Sequence, residues 1–362
     1  MANSNGIVRD VRVRAVRVPM GEPHRTASGV VAESPLVLVD VTTDQGITGH
    51  GLLFTYTAAA LKPVADLVSN LAPLVVGQPL APAAVSDGLF ARFRLLGTQG
   101  LVGMALSGLD MALWDALART LGVSLTRLLG GNEDGSVPAY GAVGFDGVAG
   151  SARSAEGWAR RGFRGVKAKI GYPSVEEDEA VIQAIRRAVG PEMAIMVDYN
   201  QSLTPAEAVE RLRAIDGLGL TWIEEPTLAH DYAGHAVVAR AIETPVQSGE
   251  NWWGPLDVRH AIQAQASDFV MLEVMKLGGV TGWKRAAALA ETHALKVSTH
   301  LWTEISTQLL CTTPMCHWLE YCEWWNPILA SPLEVVSGFA TPDRAPGSGV
   351  SWNEAAVAKY LI

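Results

Sequence analysis

Beyond about residue 136, short β-rich apolar runs alternate with amphipathic helical stretches, and nearly every apolar run ends on charge. The runs fall at 137–144, 165–170, 194–200, 221–225, 245–249, 269–274, 296–300 and 318–320, with helical patterns such as 177–189 and 205–215 between them. Eight strands alternating with helices is the pattern of a parallel (β/α) barrel. Lys167 and Lys169 end the second run, Asp198 and Asn200 the third, and Glu224 and Glu225 the fourth. Glu250 follows the fifth, Glu273 ends the sixth, His300 the seventh and Glu320 the eighth. The steps from Lys169 to Glu320 are each on the order of 20–30 residues, the size of one β/α unit. Burying an unpaired charge is costly. Charge that recurs at strand after strand is therefore expected to converge on the open C-terminal face of the barrel.

The first third reads differently. Residues 8–18, 36–41 and 46–54 alternate like strands, with Asp44-Gln45-Gly46 as a turn, and helical patterning begins near Ala58 and ends in a long segment over 100–120. Residues 20–34, rich in Gly, Pro, Ser and Ala, suggest a mobile loop between two strands. The chain divides into an α+β region over 1–135, the barrel over 136–329, and a tail over 330–362 expected to pack back on the first region.

The formal net charge of −9 supplies no basic surface for nucleic acid. An anionic substrate must therefore be held by local cations. Residues 1–10 have no signal-like apolar core, and no run approaches the roughly 20 apolar residues of a membrane span. The three cysteines, Cys311, Cys316 and Cys322, fit no zinc spacing and read as reduced thiols of a cytoplasmic protein. No Gly-X-Ser-X-Gly elbow and no Gly-X-Gly-X-X-Gly turn after a strand is present, which argues against a serine hydrolase and a dinucleotide oxidoreductase.

Taken one at a time, the polar groups have bland explanations. An Asp at a strand end caps a helix, two lysines are solvated, and a lone His sits satisfied in a core. Caps do not explain seven groups in phase with the barrel repeat. Asp198, Glu224 and Glu250 are neighbouring carboxylates that would repel without a cation, and oxygen-only ligands favour Mg²⁺, then Mn²⁺. Lys169, beside cationic Lys167 and the metal, is expected to have a destabilised ammonium form and to serve as a base. His300, from nearly the other side of the barrel, is a second base or acid, and a protonated Glu320 is placed to donate to a developing enolate oxygen.

Several segments then resemble, in order, the mandelate racemase subgroup of the enolase superfamily. They are Lys167-Ala168-Lys169-Ile170-Gly171-Tyr172-Pro173, Asp198-Tyr199-Asn200-Gln201-Ser202, Trp222-Ile223-Glu224-Glu225-Pro226-Thr227, Gly249-Glu250-Asn251-Trp252, Met275-Lys276-Leu277-Gly278-Gly279, Ser298-Thr299-His300-Leu301 and His317-Trp318-Leu319-Glu320. The resemblance extends to Pro35-Leu36-Val37-Leu38 and Phe54-Thr55-Tyr56. It implies an α/β fold, a (β/α)7β TIM-like barrel with an N-terminal α+β capping domain that carries a specificity loop, and a homo-oligomeric assembly. It implies Mg²⁺ on Asp198, Glu224 and Glu250, with Lys169 and His300 taking the α-proton of a small carboxylic acid from opposite faces. Lys167 and Asn200 would contact the substrate, and Glu320 would stabilise the enediolate.

Two departures stand out. Glu273 occupies the position where the family has an Asp supporting the catalytic His, and Ala142 replaces a substrate-holding Ser. At the specificity-loop position His24 is followed by Arg25, while Val31, Tyr56 and Leu301 keep an apolar or aromatic character, so the pocket reads as more polar than an aryl pocket. Racemisation of a 2-hydroxy acid is the first reading, dehydration of an acid sugar with the same metal and bases the second, and a non-catalytic protein retaining the fold a remote third.

Overall fold

Alternating β-branched residues build an antiparallel sheet at the N-terminal end of the computed structural model, which describes residues 6–26 and 29–362. Strand β1 (Val8–Thr26) pairs with β2 (Gly29–Thr43), and β2 with β3 (Thr48–Phe54) across a turn in which Gly46 takes φ 77°. Helices α1 (Ala58–Val75), α2 (Pro82–Arg92), α3 (Gly100–Leu121) and the short α4 (Leu125–Leu128) complete this cap. α3 is buried almost all round, as a helix apolar on every face must be. It lies so close to β3 that a Cβ on Gly49 would sit 2.2 Å from the Ala116 amide nitrogen, and one on Gly51 2.3 Å from the Gly108 carbonyl oxygen. Among the described residues α1 and α3 are long and apolar enough to cross a membrane, by length and composition alone. Here α3 is cap core, and α1 turns a Lys62–Asp66 ion pair outward.

The expected loop over 20–34 is instead the far half of the β1–β2 ribbon. His24 pairs with Val31, Arg25 with Val30 and Thr26 with Gly29, after a register shift between Pro19 and His24. The shift lets Gly21 and Pro23 pass without breaking the hairpin, which is why a Gly/Pro-rich stretch reads as a loop while the backbone stays paired. Ala27 and Ser28, also within that expected loop, lie outside the described residues, as do Met1 to Asn5 of the expected leaderless N-terminus.

Eight parallel strands follow: β4 (Val137–Val143), β5 (Gly165–Lys169), β6 (Ala194–Asp198), β7 (Trp222–Glu224), β8 (Val246–Ser248), β9 (Phe269–Leu272), β10 (Lys296–Thr299) and β11 (Leu319–Tyr321). Between them run α5 (Gly147–Arg160), α6 (Val175–Val189), α7 (Pro205–Ile215), α8 (Tyr232–Ala239), α9 (Gly254–Ala264), α10 (Val274–Leu277) with α11 (Gly279–Thr292), and α12 (Thr303–Leu310). Local signals set these helices: α7 opens with a Thr204/Glu207 capping box and Pro205 in its first turn. β11 pairs with β4, and β10 bonds to the run into β11 through Val297 N to Met315 O at 2.8 Å and Thr299 N to Trp318 O at 3.0 Å. The cylinder is thereby closed as a (β/α)7β barrel. Its interior below the rim is filled by Tyr140, Met196, Trp222 and Met271.

The tail divides its contacts. β12 (Val335–Val336) and β13 (Phe339–Ala340) form a hairpin whose second strand pairs with the start of β4. Trp352 and α13 (Glu354–Tyr360) return to the cap: Trp352 Nε1 donates to Asp40 Oδ1 at 2.6 Å, Arg14 pairs with Glu354, and Ile362 N donates to Ala15 O at 3.1 Å.

Candidate active site

Parallel register makes the site's first neighbours. Lys169 lies opposite Asp198, and Asp198 opposite Glu224, so three successive strands bring one ammonium and two carboxylates to a single level. Glu250, just past β8, joins them, and one oxygen from each of Asp198, Glu224 and Glu250 lies within 4.8 Å of the others, all three residues buried. Asn200 closes the edge, its side-chain amide donating to Asp198 Oδ2 at 3.0 Å. Trp222 Nε1 donates to Glu224 Oε2 at 2.9 Å. Non-glycine residues with positive φ gather at these strand ends: Asn200, Gln201, Glu225, Leu301 and Trp302. Such backbone costs energy and is concentrated where a site dictates it.

The two lysines of β5 have different surroundings. Lys167 is buried beneath the rim, paired with Glu224 and with Glu320 Oε1 at 3.1 Å. Lys169 Nζ meets Asp198 Oδ2 at 2.5 Å and lines the cavity above. Burial opposes the Lys169 ammonium and Lys167 adds to this, yet Asp198, followed by Glu250 and Glu224, outweighs both, and the pKa stands above the usual lysine value. The protein's own charges therefore act against the destabilised ammonium expected beside Lys167 and the metal. The physical reason is the direct contact with Asp198, whose charge, with those of Glu250 and Glu224, exceeds the opposing charge of Lys167.

His300 follows β10. Its Nδ1 is 2.7 Å from Glu273 Oε2, and its Nε2 faces Glu250 Oε2 at 3.5 Å and Glu320 Oε2 at 3.8 Å. Burial lowers its pKa, but Glu250 and the Glu273 hydrogen bond more than reverse that. Both Glu320 oxygens face donors, Lys167 Nζ on one side and the Leu301 amide at 3.2 Å on the other.

A cation fits this arrangement. The carboxyls of Asp198, Glu224, Glu225, Glu250, Glu273 and Glu320 surround only three ammonium groups, those of Lys167, Lys169 and Lys276, with His300 beside them. Burial drives the Glu224 carboxyl well above its ordinary range, while Lys167 pulls it down. Burial also works against ionised Glu250, but the charges of His300, Lys167 and Lys169 overcome it and hold its pKa well below the usual value. Glu250 Oε2 is buried with no hydrogen-bond partner among the described residues, an acceptor that a hard cation satisfies.

Above the acids opens a cavity of about 820 Å³ lined by His24, Arg25, Ala142, Lys169, His300, Leu301 and Glu320, with Arg153, Arg161 and Trp324 further out. The part of β1 around His24 and Arg25 is docked over it. Phe145 N donates to Arg25 O at 2.9 Å, Arg25 meets Asp146 at 3.3 Å, and the His24 and Trp324 ring centroids lie 5.2 Å apart. Burial first, then Lys169, Lys167 and His300, pushes the His24 pKa down to about 3, so it is a neutral imidazole at working pH. Val31, Tyr56, Asn200 and Lys167 do not line this cavity. Tyr56 is turned toward Glu273 instead, at 2.7 Å.

Sequence alone gives Glu225 a place at a strand end but no role to Glu225, Asn251 or Lys276, which the fold joins. Asn251 Nδ2 donates to both Glu225 oxygens at 2.9 and 2.8 Å, and Lys276 Nζ to Asn251 Oδ1 at 2.6 Å. The doubled acid after β7 and a lysine three residues past Glu273 were the available signals.

Residues 150–356 match the family described as Enolase C-terminal domain-like, and residues 8–130 match the Mandelate racemase / muconate lactonizing enzyme, N-terminal domain. A solved enolase from Bradyrhizobium complexed with magnesium and mandelic acid superposes with a TM-score of 0.93 at 45% identity over 99% of both chains. The D-galactarolactone cycloisomerase of Agrobacterium fabrum is 31% identical over 97% of this chain and 98% of its own length. The L-talarate/galactarate dehydratase of Salmonella typhimurium is 30% identical over 90% of this chain and 82% of its own. With this likeness over the whole length, the buried triad of Asp198, Glu224 and Glu250 fits the magnesium site of the enolase superfamily. The chain belongs to the mandelate racemase subgroup of that superfamily.

Proposed function

We propose that the protein removes the α-proton of a small 2-hydroxy carboxylic acid and returns it to either face, acting as a racemase in the cytoplasm, as an oligomer. The observation that carries this reading is that Lys169 and His300, from the second and seventh barrel strands, border one cavity while each also faces a member of the acid triad, Lys169 meeting Asp198 at 2.5 Å and His300 facing Glu250 at 3.5 Å. Asp198, Glu224 and Glu250 hold the divalent cation, which when bound supplies positive charge against the negative charge that builds on the substrate carboxylate. Lys169 works on one face of the α-carbon through Nζ and His300 on the other through Nε2, whose lone pair is free once Nδ1–H is given to Glu273. Lys167 and Glu320, joined at 3.1 Å, stabilise the enediolate from beside the reacting carbon. The docked hairpin sheds water from the cavity and brings His24 and Arg25 to the substrate. Three free cysteines accord with a reducing compartment.

A second reading, dehydration of an acid sugar, is favoured by one observation. The outer cavity is lined by charged residues of both signs, Arg25 paired with Asp146, Arg161 paired with Glu323, and Arg153, which suits a polyhydroxylated acid better than an aryl group. The same bases would then serve, with a β-hydroxyl expelled after α-proton removal. Incubation with Mg²⁺ and (R)- or (S)-mandelate, alongside a panel of aldonic and aldaric acids, tests both. Enantiomer exchange supports the racemase, a 2-keto product supports the dehydratase, and no α-proton exchange with any acid rejects both.

A further inference from the structure

Glu273 holds His300 by one oxygen only. Oε2 receives His300 Nδ1 at 2.7 Å and the Tyr56 hydroxyl at 2.7 Å, with Lys276 Nζ at 3.5 Å. Oε1 is buried and has no partner among the described residues. A glutamate side chain has three rotatable bonds, so a lone contact to His300 would leave its carboxylate free to swing. The donors on Oε2 come from three elements. Tyr56 follows β3 of the cap, Lys276 lies in α10, and His300 follows β10. Lys276 also sits 4.8 Å from the centre of the Tyr56 ring and is tied back to Asn251. Tyr56 itself is set by backbone in the left-handed region, φ 57°, after Thr55, whose hydroxyl bonds to the carbonyls of Pro35 and Thr57. That hydroxyl therefore has a fixed address, and the address is the carboxylate behind His300.

Building on the assignment of His300 as a base, we infer that Tyr56 is a positioning residue for it. The cap's tyrosine hydroxyl pins Glu273 Oε2, which fixes the His300 ring and keeps Nε2 as the free nitrogen facing the cavity. On this view the cap supplies part of the support of one catalytic base and none of the other, since Lys169 is held by Asp198 within the barrel. Tyr56 acts through Glu273 and not as a wall of the substrate pocket.

The test is Tyr56→Phe, which keeps the ring packed on Phe54 at 4.7 Å and removes only the hydroxyl. In D₂O with Mg²⁺ and each enantiomer of mandelate, exchange on the His300 face should fall by about 10- to 100-fold, the usual range for a supporting partner. Exchange on the Lys169 face should stay within about twofold, and Tyr56→Phe should add nothing in a Glu273→Gln background, since paired residues acting as one unit are non-additive. A second measurement needs no turnover. In ¹⁵N-histidine-labelled protein with Mg²⁺, the Nδ1–H resonance lost in His300→Asn should persist in Tyr56→Phe but exchange with solvent several-fold faster. Equal loss on both faces, or a His300 Nδ1–H whose exchange is unchanged, overturns the inference. Wild-type protein that exchanges neither face of any acid tested overturns the racemase reading, and the resonance then decides the positioning role alone.

Discussion

Among single residues the two bases are the sharpest prediction. Lys169 and His300 lie three strands apart in a barrel of eight and border one cavity, so on the proposed reaction each would reach the α-carbon from its own side. His300→Asn is expected to keep solvent exchange into one enantiomer, Lys169→Ala into the other, and neither is expected to racemise. Proton NMR of the α-position in D₂O reads this directly, and loss of both exchanges in either variant would contradict it. The charged strand ends were legible in the sequence because their spacing follows the barrel repeat, and Asp198, Glu224 and Glu250 do meet. What was not legible is who partners whom. Tyr56, Glu273 and Lys276 are joined by closure of the cap on the barrel, which leaves no periodic trace. The raised pKa of Lys169 has the same origin, since it depends on a carboxylate one strand away rather than on the lysine two residues before it.

At the scale of elements, the β1–β2 ribbon and the β3–α3 contact carry the consequences. The ribbon is anchored at Arg25 by a backbone bond from Phe145, so His24→Ala and Arg25→Ala should leave thermal stability nearly unchanged while altering relative kcat/KM across an acid panel. Parallel rates across that panel would show that the ribbon covers the cavity without selecting. Gly49 is the opposite case. A methyl there meets the α3 backbone, which cannot rotate away, so Gly49→Ala should destabilise by roughly 1–3 kcal/mol or more, the cost of overpacking. Thermal melts of Gly49→Ala against Gly88→Ala, where nothing lies within 4 Å, separate backbone crowding from a general glycine effect. The helices and barrel strands could be read from period and caps. The ribbon could not, because its register shift and its glycines hide the pairing that Val30 and Val31 sustain.

For the whole molecule, stability is linked to the cation. More carboxylates than ammonium groups are enclosed at the barrel rim, and a ligand that binds only the folded state stabilises it by mass action. Mg²⁺ should therefore raise the melting temperature progressively, and chelator reverse it. Glu224→Gln should flatten that dependence, and a melting curve equally responsive to Mg²⁺ in the variant would remove Glu224 from the ligand set. The last eleven residues have a further consequence. Because Trp352 bonds to Asp40, Glu354 to Arg14 and Ile362 to Ala15, the cap is sewn from two stretches far apart in sequence. Anyone grafting a relative's specificity ribbon onto this barrel must therefore transplant two pieces of gene, the one that carries the ribbon and the one that encodes residues 352–362. A graft of the first alone would leave Asp40 and Arg14 facing a foreign seam.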